Sequence, residues 1–130
     1  DHCRAIEVIL NRGVVGQTYN VGGCCERSNL EVVGALCKLV DELFLENLRL
    51  RDSYPNALAG RGKPSAESVC FVTDRLGHDR RYAVDAGKIR DHLGYRSSSS
   101  FDEGLRETVN WYLTNEHWWR PLLNQRAVAA

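Results

Sequence analysis

Apolar residues recur along most of the chain at the three- and four-residue spacing that places side chains on one face of a helix. This spacing predicts about five helical segments, which start near Cys3, Ser28, Asp85, Ser100 and Glu116. Residues 17–21 and the apolar run at residues 69–72 have the composition of short strands, and the second one is expected to be buried. The pattern therefore predicts a helix-rich α/β (α+β) fold with two short strands.

Local signals define where several of these helices begin and end. Ser28 with Glu31, and Ser100 with Glu103, form the capping-box pattern, in which each side chain binds a free backbone N–H. Gly94 predicts a helix end. The residues expected to face the core are Cys3, Ile6, Ile9 and Leu10; Val33, Leu36, Cys37, Val40, Leu43 and Phe44; Ile89 and Leu93; and Phe101, Leu105, Val109, Tyr112 and Leu113.

Two parts of the chain lack helical periodicity. Residues 47–68 contain Pro55, Gly60, Gly62 and Pro64, which predicts an irregular surface loop. Residues 121–130 predict a frayed tail. The length suits a single domain, residues 1–130. The absence of methionine from the sequence indicates a fragment or an excised domain.

Charge and cysteine usage exclude several classes of function. The 17 Lys and Arg residues balance the 17 Asp and Glu residues, which argues against a general nucleic-acid binder. No apolar run approaches the length of a membrane span. The five cysteines lack the spacing of a metal site or of a disulfide framework, and Cys3, Cys37 and Cys70 lie in apolar segments. We therefore expect free, buried thiols in a reducing cytoplasm, and no metal.

The segment from Asp74 to Arg81 is a candidate ligand site. It follows an apolar run and precedes a helix, which is where α/β proteins often bind ligands. Its basic or potentially basic side chains suit an anion, with phosphate the first candidate: Arg75, His78, Arg80 and Arg81. The alternative is a solvated turn whose Asp and Arg side chains pair with one another.

Asn29 is a second candidate. It lies in the first turn of the helix predicted after Ser28, where free backbone N–H groups and the helix dipole favour an anion. An asparagine at this position is equally explained as part of the helix cap, without a ligand.

The sequence contains no complete catalytic motif. It has no G-x-S-x-G or Walker loop, and Gly22-Gly23 is too short for a dinucleotide fingerprint. Cys24 and Cys25 precede a helix, which can activate a thiol, but no partner histidine can be assigned. His78 beside Asp74 and Asp79 could transfer a proton, although no nucleophile or cofactor site accompanies it. The residues thus predict an anion-binding site without the groups needed for a reaction.

Five segments of the chain carry a family resemblance. They are DH-x-RA from Asp1, TYNVGG from Thr18, ERSNLEVV from Glu26, DRLGHDRRYAVDAGKI from Asp74 and TVNWYL from Thr108. In this order they resemble the C-terminal part of the dTDP-glucose 4,6-dehydratase family, within the extended short-chain dehydrogenases. The fourth segment points to this branch, because related epimerases and decarboxylases usually diverge there.

The resemblance implies a small substrate-binding domain, with an N-terminal Rossmann domain that binds NAD absent from the sequence. Residues at the dTDP-sugar site would be Asn29, Asp74, Arg75, Leu76, Gly77 and His78. The parent enzyme is a lyase, usually a homodimer, that makes dTDP-4-keto-6-deoxyglucose from dTDP-glucose by hydride transfer to NAD, water elimination and hydride return. Its catalytic residues would precede Asp1, so the resemblance implies neither NAD binding nor activity in this chain alone.

The sequence departs from the family at Leu76, where a proline is usual. Loss of the ring predicts a looser loop before Gly77, by a few tenths to about 1 kcal/mol of backbone entropy. Two alternatives stay open. One is a stand-alone nucleotide- or phosphate-binding module, and the other is a protein-interaction domain that docks through Trp118 and Trp119.

Overall fold

The computed structural model describes residues 1–77 and 83–127, with the side chains of residues 124–127 excepted. The chain separates into two compact units, of which the first comprises Asp1–Glu31 and Val72–Phe101. The second comprises Val32–Phe71 and Asp102–Ala130. The length of the chain predicts one domain, whereas the structure contains two units, each with its own hydrophobic core.

Helices account for nearly all the regular structure of the described residues. The α-helices are α1 (His2–Arg12), α2 (Asn29–Glu46), α3 (Arg49–Ser53), α4 (Gly87–Leu93), α5 (Phe101–Thr114) and α6 (Glu116–Ala127). Two short 3₁₀ helices span Ala59–Arg61 and Ser65–Ser68. The five predicted segments correspond to α1, α2, α4, α5 and α6, which confirms the helix-rich class. Within the described ranges, no helix combines the length and apolarity needed to cross a membrane.

The two predicted strands are not formed. Residues 17–21 and 69–72 have no strand pairing in the part of the chain that the structure describes. The second run is not buried either, because Phe71 is 86% exposed and Val72 is 81% exposed. A strand needs hydrogen bonds to a neighbouring strand, and an apolar run needs a second layer to cover it. The described residues supply neither.

The first unit is built on the packing of α1 against α4. Its core consists of Ala5, Ala86, Ile89, Leu93 and Tyr95, and both Ala5 and Ile89 are fully buried. The small side chain of Ala5 leaves room for the bulkier Ile89. The predicted inward face of α1 is correct at Ile9, which packs against this core with Ala5 and Val8. It is wrong at Cys3, Ile6 and Leu10, which are exposed.

Asp1 ties the start of α1 to the serine-rich turn that follows α4. Its backbone carbonyl accepts a hydrogen bond from the Tyr95 hydroxyl at 2.9 Å. Its carboxylate accepts hydrogen bonds from the Ser97 hydroxyl at 2.6 Å, the Ser98 hydroxyl at 2.7 Å and the Ser98 N–H at 3.2 Å. The turn formed by this run of serines is thus organised around one carboxylate.

The boundaries of α4 match their sequence signals. The Asp85 carboxylate accepts a hydrogen bond from the Gly87 N–H at 2.7 Å, just before the helix. Gly94 ends the helix with φ 69°, a left-handed conformation that favours glycine. Ile89 and Leu93 are buried as predicted.

The second unit packs α2, α3, α5 and the 3₁₀ helices around one core. Its buried residues are Leu39, Leu43, Phe44, Leu50, Ala59 and Val109. Leu50 and Ala59 lie within residues 47–68, so this segment contributes to the core and is not the irregular loop predicted from its prolines and glycines. The Tyr54 hydroxyl donates to the carbonyl of Leu113 at 3.1 Å, which ties the segment to α5.

Polar contacts reinforce the second unit at its surface. The Asp41 carboxylate accepts hydrogen bonds from the Ser65 hydroxyl at 2.6 Å and the Ser65 N–H at 3.0 Å. Arg106 on α5 pairs with Glu42 at 3.3 Å and Glu46 at 3.2 Å, both on α2. Because the members of this ion-pair network are 41–58% exposed, it orients the helices more than it stabilises them.

Tryptophans join α5 to α6. The Trp119 indole N–H donates to the carbonyl of Tyr112 at 2.8 Å, and the rings of Trp111 and Trp118 meet edge to face at 5.2 Å. Tyr112, predicted to face the core, is 51% exposed. Helix α6 continues past Pro121 to Ala127, in part of the segment predicted as a frayed tail.

Replacing Ile89 with alanine is expected to destabilise the chain by about 3 kcal/mol, since it removes a fully buried side chain and leaves a cavity. Leu10→Ala, which shortens an 81% exposed side chain in the same unit, is the matched control and should change stability by less than about 0.5 kcal/mol. Urea unfolding followed by far-UV circular dichroism measures both. Equal losses in the two variants would contradict the assigned core.

Candidate functional site

The predicted capping box fixes the position of Asn29. The Ser28 N–H donates to a Glu31 carboxylate oxygen at 2.7 Å, and the Glu31 N–H donates to the Ser28 hydroxyl at 3.3 Å. The Ser28 hydroxyl donates to the same carboxylate at 2.7 Å. These reciprocal bonds confirm the predicted helix start and place Asn29, which is exposed, in the first turn of α2.

The carboxylate of the cap also sets the local electrostatics. Hydrogen bonds from the Ser28 side chain and backbone lower the pKa of Glu31, assisted by the positive charge of Arg27. A negative charge thus already lies at the positive end of the α2 dipole. An anion bound here would share the dipole with Glu31, so the neutral amide of Asn29, which both donates and accepts hydrogen bonds, is the more useful group for a ligand.

The loop predicted to bind an anion is exposed wherever it is described. The Asp74 carboxylate accepts the Arg75 N–H at 2.9 Å, a local bond that shapes the turn. Arg75 is exposed and Leu76 is fully exposed, while Gly77 has φ 70°. That φ favours glycine, because a side chain would meet backbone strain there. His78 lies outside the described residues.

Asp74, Arg75, Leu76 and Gly77 are consecutive in the chain, with a turn at Leu76 and Gly77, and Asn29 lies in the same compact unit. All five residues are exposed. Both segments are open to a ligand from solvent.

A cleft in the first unit escaped the sequence analysis. It has a volume of about 390 Å³ and is lined by Gly22, Gly23, Cys24, Ala86, Ile89, Arg90, Tyr95, Arg96 and Ser97. Pockets of this size hold small ligands. The Gly22-Gly23 pair was the available sequence signal. A Cβ on Gly22 would lie 3.5 Å from the Val84 side chain, at ordinary contact distance.

Arg90 at the rim of this cleft is engaged with its neighbour on α4. Its Nε lies 2.9 Å from an Asp91 carboxylate oxygen. This hydrogen bond lowers the pKa of Asp91 and raises the pKa of Arg90, to which Cys24 and Asp85 contribute smaller electrostatic effects. The charge on Arg90 is therefore partly neutralised, and Arg96 is the second cation lining the cleft.

The five cysteines are free, as predicted, but the expectation that they are buried is wrong. Cys3, Cys24, Cys25 and Cys70 are exposed, and Cys37 is half-buried. Their apolar sequence neighbours are themselves exposed in several cases, so neighbourhood in sequence did not produce burial. In the described part of the chain, no group of three His, Cys, Asp or Glu side chains could hold a metal ion.

Comparison with known proteins gives a consistent family. The family model described as GDP-mannose 4,6 dehydratase matches residues 1–108. A dTDP-glucose 4,6-dehydratase of Xanthomonas campestris pv. campestris is 47% identical over 124 residues, which are 95% of this chain and 32% of the relative. A dTDP-glucose 4,6-dehydratase of Neisseria meningitidis serogroup B is 46% identical over 124 residues, again 95% of this chain and 32% of the relative.

A solved structure is similar to this chain in both fold and sequence. The crystal structure of a dTDP-glucose 4,6-dehydratase from Bacillus anthracis in complex with NAD superposes with a TM-score of 0.70 at 39% identity. The match covers 93% of this chain and 31% of that chain. The chain thus spans about a third of the length of the relatives it matches.

The stability of α2 at its start, next to Asn29, should depend on pH. Because the pKa of Glu31 is lowered in the folded chain, its contribution is fully present above the ordinary pKa of a glutamate and is lost as pH falls through the lowered value. Helicity measured by circular dichroism from about pH 6 to about pH 3 should fall less steeply in Glu31→Gln, which keeps a capping amide without a titrating group. Glu7→Gln on α1, also exposed, is the control, and a change as large as that of Glu31→Gln would contradict this assignment.

Proposed function

Because the chain belongs to the family described as GDP-mannose 4,6 dehydratase, we propose that it is the dTDP-sugar-binding part of a dTDP-glucose 4,6-dehydratase. The observation that carries the proposal is the 47% identity, over 95% of this chain, to an enzyme of that name. The parent enzyme would convert dTDP-glucose to dTDP-4-keto-6-deoxyglucose. It would be a lyase that uses NAD and works in the cytoplasm as a homodimer.

The proposed dTDP-sugar site consists of Asn29, Asp74, Arg75, Leu76, Gly77 and His78. Arg75 supports this role, because an exposed guanidinium donates paired hydrogen bonds to phosphate oxygens. Gly77 supports it as well, because its left-handed conformation turns the backbone without a side chain that would obstruct a ligand. Asn29 supplies a neutral amide in the first turn of α2, where the carboxylate of Glu31 already offsets the positive end of the helix dipole.

We propose that the NAD-binding and catalytic residues belong to the two thirds of the relatives that this chain does not match. Val72 is 81% exposed and Leu76 is fully exposed. Apolar side chains this exposed, in and next to the proposed ligand loop, support the idea that another part of the protein covers them. In this proposal an N-terminal Rossmann domain covers them and brings NAD to the sugar. The chain alone would then bind the nucleotide weakly and catalyse nothing.

Titration with dTDP tests the site. We expect weak binding, with amide signals of Asn29 and Arg75 shifting in NMR spectra at millimolar ligand, and about fivefold weaker binding in Asn29→Ala and Arg75→Ala, since each loses about one net hydrogen bond. Asn11→Ala and Arg12→Ala, which remove the same exposed groups from α1, are the matched controls. Equal weakening by the controls, or unshifted Asn29 and Arg75 signals, would refute the site.

An activity assay tests the proposal that this chain binds the substrate but does not catalyse the reaction. The chain mixed with NAD and dTDP-glucose should form no dTDP-4-keto-6-deoxyglucose, because the groups for hydride transfer and water elimination lie elsewhere in the proposed parent. Chromatographic detection of the keto sugar provides the measurement, with a full-length dTDP-glucose 4,6-dehydratase as positive control. Turnover by the chain would overturn its assignment as a binding part alone, while leaving the dTDP titration to judge the site separately.

A further inference from the structure

The adjacent residues Cys24 and Cys25 lie outside the proposed dTDP-sugar site and have no role in it. Both are free and exposed, in the first unit, between Gly23 and the start of α2. Their thiols are therefore open to reagents from solvent, and Cys24 also lines the cleft of about 390 Å³.

The backbone at this pair has an unusual conformation. Cys24 has φ 52°, and in the described residues it is the one non-glycine residue with positive φ. This conformation costs a residue with a Cβ about 1 kcal/mol. In an extended segment, successive side chains point to opposite faces, and the positive φ of Cys24 departs from that extended geometry.

A cationic group lies beside the Cys25 sulfur. The Arg27 Nε–H donates to the Cys25 sulfur at 3.4 Å, and the guanidinium of Arg27 is held over the Phe101 ring at 4.3 Å from its centroid. Arg90 lines the same cleft as Cys24.

Adjacency disfavours a disulfide between the two cysteines. Successive Cα atoms across a trans peptide are about 3.8 Å apart, which is shorter than the span of about 4.4–6.8 Å that disulfides prefer. A third atom placed between the sulfurs would relieve this strain, because it lengthens the bridge. The pair is therefore better suited to joint coordination than to oxidation.

We propose that Cys24 and Cys25 form a dithiol site for thiophilic trivalent metalloids, with an arsenical as the ligand class. In the capture of an organic arsenic(III) oxide, both thiol protons pass to the oxide oxygen, which leaves as water. Two As–S bonds replace the As–O bonds, and no electrons are transferred. The organic substituent of the arsenical would extend into the cleft beside Cys24.

Phenylarsine oxide is the probe. We expect one adduct per native chain by mass spectrometry, with two of the five thiols lost to a thiol reagent. Cys24→Ser and Cys25→Ser should each weaken capture by about tenfold or more, because the second As–S bond no longer forms within the same molecule. The matched controls, Cys3→Ser and Cys70→Ser, also remove exposed thiols and should leave capture unchanged.

Far-UV circular dichroism of each variant verifies that the fold is retained. Capture that survives Cys24→Ser, or that is lost in Cys70→Ser, would overturn the proposal. The same titration in a denaturing concentration of urea tests the contribution of the turn: the native chain should bind more tightly than the unfolded chain. If the native and unfolded chains bound the probe with equal affinity, capture would depend only on the adjacency of the two cysteines in the sequence. That result would refute a site built by the fold.

Discussion

The burial of Ile89 in the core formed with Ala5 is the contact on which the first unit depends. Helix α4 spans only Gly87–Leu93, and an isolated helix of this length is unstable in water. Its stability must come from tertiary packing, which Ile89 and Leu93 provide against α1. Because Ile89 also lines the cleft, the same contact that holds the helix shapes this concave surface.

Features that depend on a few adjacent residues were predictable from the sequence. The cap formed by Ser28 and Glu31 and the helix end at Gly94 each require only groups within three or four positions. The inward face of α1 was predictable only in part, because several apolar faces were available and the partner selected the one containing Ala5. Strand formation at residues 17–21 and 69–72 depends on partners that the described residues do not contain.

The candidate site shows the same division between local and distant information. The sequence predicted that Asn29 lies in the first turn of a helix and that the segment beginning at Asp74 precedes a helix. The structure confirms both positions, with α2 in the first case and α4 in the second. The sequence did not show that Glu31 would neutralise the helix start, because that follows from the cap geometry. Nor did it show the cleft at Gly22-Gly23, whose walls come from residues more than sixty positions away along the chain.

The ligand loop combines charged and apolar side chains in a way that constrains its affinity. Arg75 carries the guanidinium proposed to bind phosphate, but the adjoining Leu76 is fully exposed and Val72 is 81% exposed, which leaves the segment without packing to hold it in one conformation. A ligand would have to order this segment on binding, at a cost of about 1–2 kcal/mol for each residue fixed. The residue at position 76 adds to that cost, because a leucine restricts the unbound backbone less than a proline would. An apolar layer placed over Val72 and Leu76 would order the loop before the ligand arrives. In the proposed site, affinity for the nucleotide and contact with such a layer would therefore be coupled through these two side chains.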